Sequence, residues 1–60
     1  MAIKANQKII LDEIKTLYSW LQTLNEKMKN GSIVEIKRWT TKVEAQATWI
    51  SILVREIYGI

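Results

Sequence analysis

The stretch Asn30-Gly31-Ser32 separates two long heptad patterns of apolar residues, and this arrangement decides the fold. In the first half, heptad position a holds Gln7, Ile14, Leu21 and Met28, and position d holds Ile3, Ile10, Leu17 and Leu24. In the second half, position a holds Ile36, Val43, Ile50 and Ile57, and position d holds Trp39, Gln46, Leu53 and Ile60. All of these residues except Gln7 and Gln46 are apolar, and the alternation expected of a strand fits neither half. The pattern therefore predicts two long α-helices and an all-α fold.

The residues around this stretch carry the signals that end one helix and begin another. Gly31 is expected to close the first helix in the left-handed conformation. Lys27 and Lys29, in the turn before it, suit the negative end of the helix dipole. Ser32 and Glu35 have the spacing of a capping box, in which each side chain binds a free backbone amide. These signals disfavour the alternative of one continuous helix.

We predict a single helical-hairpin unit over residues 1–60, with a helix over about 3–29, a turn over 30–32 and a helix over about 33–58. A loop this short places the two helices side by side and antiparallel. The residue numbers of facing pairs then sum to roughly 60. The expected pairs are Leu24 with Ile36, Leu17 with Val43, and Ile10 with Ile50.

Two polar residues interrupt the predicted seam between the helices. Gln46 falls opposite Ile14. Gln7 falls opposite Leu53 or Val54. Polar residues in such seams fix the register or the choice of partner in some coiled coils. The interpretation that we prefer is that Gln7 lies in a frayed end and that Gln46 turns its amide to solvent.

Size and composition point to self-association rather than to catalysis. A chain of 60 residues has a small core, and small domains compensate with disulfides, a metal or oligomerisation. The sequence contains neither cysteine nor histidine, so we expect no disulfide, no metal and no cofactor. The adjacent carboxylates of Asp12 and Glu13 are expected on a solvated face near Lys8 and Lys15 rather than as a catalytic pair. We predict no enzymatic activity.

The apolar stripe of each helix is wider than one seam requires. Positions e and g add residues that we predict to form an oligomer interface, namely Leu11, Tyr18, Trp20, Ala47, Trp49 and Val54. Stripes of this width are typical of helices that pack against two neighbours. We therefore expect two hairpins to form a homodimeric four-helix bundle. A larger homo-oligomer and a complex with a different protein are the alternatives.

The predicted function is that of a small, non-enzymatic oligomerisation or adaptor protein that acts through its bundle surface. Trp39 is expected in the core, and Trp20 and Trp49 are expected on the flanks, packed within the homodimer. The alternative is that a flanking tryptophan anchors another partner. We expect neither a leader peptide nor a membrane-spanning helix, because no apolar run is long enough, and we expect a cytoplasmic protein.

The distribution of charge suggests a second hypothesis. Residues 25–42 carry the entire net charge of +3, because the charges of the other residues cancel. The basic residues around the predicted turn are candidate contacts for nucleic-acid phosphate, namely Lys27, Lys29, Lys37, Arg38 and Lys42. Rop-type plasmid RNA regulators are also dimers of helical hairpins, which is an analogy of architecture without a shared sequence motif. The interpretation that we prefer is a solvated helix end whose cations complement the dipole.

A third hypothesis is a cationic helical protein that acts at the surface of an anionic membrane. Tryptophan-bearing basic helices can lie on such surfaces. The acidic residues on the polar face of each helix disfavour this hypothesis.

Overall fold

The structure is an antiparallel pair of helices. The computed structural model describes the backbone of residues 2–59 and the side chains of residues 7–59. Helix α1 spans Ala2–Asn30, helix α2 spans Ile33–Tyr58, and the two pack together as a hairpin. The prediction of an all-helical hairpin is thereby confirmed. The predicted seam positions of the Ile3 and Ile60 side chains lie outside the described residues.

The start of α2 has the predicted capping box. Ser32 has an extended conformation, and its hydroxyl accepts a hydrogen bond from the backbone N–H of Glu35 at 3.2 Å. In return, the backbone N–H of Ser32 donates to Oε1 of Glu35 at 3.2 Å. The other carboxylate oxygen of Glu35 lies 2.8 Å from Nζ of Lys27, which belongs to the last turn of α1. Glu35 therefore caps its own helix and joins it to the end of the preceding one.

Gly31 has a different role from the one expected. Among the described residues, positive φ occurs at Gly59, where φ is 69° and the N–H donates to the Arg55 carbonyl at 2.7 Å. The predicted left-handed conformation of Gly31 is therefore wrong. The N–H of Gly31 donates to the Lys27 carbonyl at 2.7 Å, and a Cβ atom on Gly31 would lie 2.7 Å from that same oxygen. Glycine fits here because the backbone of the turn approaches α1 too closely for a side chain.

The seam between the helices is rotated in α1 relative to the heptad prediction. Helix α2 turns its a and d residues inward, as expected, but α1 turns its d and g residues inward. Ile10, at position d, is the buried apolar residue of the described chain, with 8% exposure. The predicted seam residues at position a are instead exposed: Ile14 by 43%, Leu21 by 44% and Met28 by 61%. The rotation follows from the g residues of α1, because Glu13 and Trp20 both have partners on α2.

A pair of helices forms a layer and encloses little volume. The Cα atoms extend over 45 × 16 × 10 Å, so the molecule is one helix pair thick. Apart from Ile10, the apolar residues of the seam remain partly accessible. The fold therefore presents two broad faces to its surroundings, and the residues on those faces decide what the hairpin can contact.

Candidate interaction surface

One broad face of the hairpin is apolar over most of its length. With the observed seams, the a and e positions of α1 and the e positions of the antiparallel α2 fall on the same side. Helix α1 contributes residues that are each 43–66% exposed, namely Leu11, Ile14, Tyr18, Leu21 and Met28. Helix α2 contributes Ile33, Ala47 and Val54, of which Val54 is half-buried and the other two are exposed. We call these eight residues the open face.

The surface of the chain is large for its mass. A compact monomer of 7.0 kDa exposes about 4,000 Å². The hairpin exposes 4792 Å², which is roughly 800 Å² more than that expectation. Each partner in a standard protein–protein interface buries about 800 Å². The excess reflects the elongated shape of a single helix pair, which leaves surface that a partner could cover.

A groove of about 280 Å³ lies at the end of the hairpin farthest from the turn. It is lined by Gln7, Ile10, Leu11, Val54 and Tyr58. Leu11 and Val54 belong to the open face, so the groove continues that face toward the free ends of the two helices. Gln7, predicted in a frayed end, is an exposed residue within helix α1.

The opposite face carries a tryptophan cluster. The rings of Trp20 and Trp39 meet edge to face, with centroids 6.3 Å apart and planes at 77°. The ammonium group of Lys42 lies 4.9 Å from the Trp39 ring centroid and 5.5 Å from that of Trp20. This arrangement has the geometry of a cation–π interaction with both rings. Trp20 therefore has a partner within its own hairpin, and Trp39 is half-buried rather than enclosed.

The six residues predicted for the oligomer interface do not share one face. Leu11, Tyr18, Ala47 and Val54 lie on the open face. Trp20, at a g position of α1, lies in the seam against Trp39, and Trp49, at a g position of α2, lies on the opposite face with 46% exposure. The heptad positions of these six residues predict that they are partly exposed in one hairpin. Which face each residue occupies depends on the rotation of the α1 seam.

Gln46 is the buried polar residue of the described chain, with 7% exposure. Its amide nitrogen donates to the Glu13 carbonyl at 2.9 Å and to Glu13 Oε1 at 2.8 Å. The preferred interpretation, in which this amide faces solvent, is therefore wrong. The predicted solvated position of Glu13 is also wrong, because its carboxylate is half-buried against α2, whereas Asp12 pairs with Lys8 at 3.6 Å. The sequence pattern indicates the polar interruption at Gln46 but not its partner. That partner is Glu13, which is adjacent in sequence to the expected Ile14.

The five candidate basic residues do not converge on one patch. Lys27 binds Glu35, and the hydrogen bond from Lys27, together with that from the Ser32 amide, lowers the pKa of Glu35 below its usual value. Lys42 lies beside Trp20, far from the turn. Near the turn, the remaining exposed cations are Lys29, Lys37 and Arg38.

Membrane-spanning segments, metal sites and similarity to known proteins are three further features that could indicate a function. Over the part of the chain with a described structure, no helix has an apolar stretch sufficient to traverse a bilayer. Within the same part, no three acidic side chains gather in a way that could hold a metal ion. Comparison with family models, with curated proteins and with solved structures gives no match for this chain.

Proposed function

We propose that this protein is a non-enzymatic oligomerisation or adaptor module that acts through protein–protein contacts of its open face. The observation that carries the proposal is the concentration of exposed apolar side chains along that face, which Asn25 and Thr40 interrupt. Contiguous apolar surface of several hundred Å² on a small protein marks an interaction site. Burial of these side chains would give the hairpin the core that two helices alone do not provide.

The basic residues near the turn support the nucleic-acid alternative less well than the apolar side chains of the open face support protein contact. Of the five, Lys27 forms an ion pair and Lys42 lies over two aromatic rings. Binding to phosphate would have to compete with these contacts. Lys29, Lys37 and Arg38 remain as candidate contacts, and their number is small for a nucleic-acid surface.

Lysine substitutions on the open face test the proposal. Leu11→Lys or Tyr18→Lys places a charge in the proposed contact, so we expect self-association to weaken by on the order of tenfold or more. Helicity should fall together with association. Gln22→Lys is the matched control, because Gln22 is exposed on α1 outside the open face. Sedimentation equilibrium and circular dichroism at several protein concentrations measure both quantities.

Two results would count against this function. A wild-type chain that is fully helical and monomeric at micromolar concentration would refute self-association. Retardation of RNA or DNA at low salt, abolished by Lys37→Ala with Arg38→Ala but retained by Leu11→Lys, would favour the nucleic-acid alternative instead.

A further inference from the structure

We propose that the occupant of the open face is a second copy of this chain, seated antiparallel, with the two turns at opposite ends of a four-helix bundle. This inference rests on the proposed function and adds the identity and the orientation of the partner. A two-fold axis perpendicular to the helices relates the copies, so the same face is used twice.

The spacing of the open face makes it complementary to itself in this orientation. An axis at the level of Leu17 and Tyr18 maps the a row of α1 onto the same row of the partner. Ile14 then faces the partner's Leu21, and Tyr18 lies beside the axis. The central layers contributed by α1 are apolar on both sides, as in the core of a helical bundle, whereas α2 presents the smaller Thr40 and Ala47 near this level.

The ends of the open face are also complementary in this orientation. Met28, which is 61% exposed, lies near the turn, whereas the groove lined by Gln7, Leu11 and Val54 lies at the other end. In the antiparallel arrangement, the partner's Met28 falls at the level of Gln7 and reaches this groove. In a parallel arrangement, the grooves of the two copies would face each other, and Met28 would face the partner's Met28. Methionine is well suited to fill such an irregular gap.

The distribution of charge favours the same orientation. The segment around the turn, residues 25–42, carries a net charge of +3, and the remainder is neutral. A parallel arrangement would place the two positively charged ends side by side, within about 20 Å of each other, where they repel at low ionic strength. The antiparallel arrangement places each positively charged end against the neutral end of the other copy.

Distances between spin labels test the orientation. The sequence contains no cysteine, so Asn30→Cys introduces a single labelling site at the exposed end of α1. In an antiparallel dimer, the two labels lie about 40 Å apart or more, given a rise of about 1.5 Å per residue. Ser19→Cys is the matched control, because Ser19 is exposed and lies near the proposed axis. Its labels should be separated by about 25 Å, which is set by the width of the bundle.

Each outcome of this experiment decides the proposal. Asn30 labels that are much farther apart than Ser19 labels, in a sample that sedimentation shows to be dimeric, support it. A dimer with similar distances at both sites overturns the orientation but leaves the proposed function intact. A dimer whose Asn30 labels are the closer pair, or an assembly of more than two copies, also overturns the orientation. A helical monomer overturns the inference and the proposed function together.

Discussion

At the scale of single residues, the Gln46 amide shows how this thin fold specifies its register. The amide nitrogen donates two hydrogen bonds to Glu13 on the other helix, one to its backbone carbonyl and one to its carboxylate. A slip of the helices by one turn would separate the amide from both acceptors. Polar groups that are buried with partners cost little, but without partners they cost about 1–3 kcal/mol. Gln46 is therefore a candidate for the register-fixing role that some coiled coils assign to a polar seam residue.

Substitution of Gln46 tests this role. Gln46→Leu leaves the half-buried Glu13 carboxylate without its donor, so we expect a loss of about 1–3 kcal/mol in the free energy of unfolding. Gln22→Leu, at an exposed position of α1, serves as the control and should change stability by less than about 0.5 kcal/mol. Urea titration at one fixed protein concentration measures both values. Equal effects of the two substitutions would contradict the assigned role.

At the scale of the helices, the ends were more predictable than the faces. The capping box follows from local spacing, because Ser32 and Glu35 are three residues apart and bind each other's backbone. The α1 seam does not follow from local spacing. It depends on the fit of Trp20 against Trp39, which is a contact between residues distant in sequence. The role of Gly31 is hard to predict for a related reason, since glycine serves both left-handed turns and close backbone approaches, and the residue type does not distinguish them.

The carboxylate of Glu35 should make the start of α2 sensitive to acid. Its pKa is lowered in the folded chain by the hydrogen bond from Lys27 and by the capping amide, so folding favours the ionised form. The stabilisation is therefore complete above the unfolded pKa of about 4.3 and is lost as pH falls through the lower, folded value. We expect Glu35→Gln to reduce stability at pH 7 and to flatten the acid limb of the stability profile.

Thermal unfolding between pH 2 and pH 7 measures this dependence. Glu44→Gln is the control, because Glu44 is an exposed carboxylate of the same helix. An acid limb that is as steep in Glu35→Gln as in the control would contradict the proposed role of Glu35.

At the scale of the whole molecule, the sequence predicts that apolar surface remains exposed but not which face of the hairpin carries it. Composition and heptad width indicated that one hairpin has more apolar surface than one seam covers. They did not indicate that this surface divides into an open face and a tryptophan-bearing face, because the division depends on how far α1 is rotated. Of the predicted interface residues, those at e positions share the open face, and those at g positions do not.

If the working molecule is a dimer, its thermal stability should depend on protein concentration. Mass action favours the folded dimer, so a tenfold increase in concentration should raise the Tm by about 5 °C for a complex of this size. At each concentration the Tm should be lower in Leu11→Lys and close to the wild-type value in Gln22→Lys. Calorimetry over a hundredfold range of concentration provides the measurement, and a constant Tm for the wild-type chain would count against pairing.

The separation of aromatic residues between the two faces gives the chain two independent optical signals. Trp20 and Trp39 share a cluster within one hairpin, so indole fluorescence in a Trp49→Phe variant reports whether α1 and α2 are docked. Tyr18 stands on the open face and Tyr58 lines its groove, so the near-ultraviolet absorbance of the phenols responds to what covers that face. The closing of a hairpin and the joining of two hairpins can thus be followed by indole emission and by phenol difference absorbance, without an attached label.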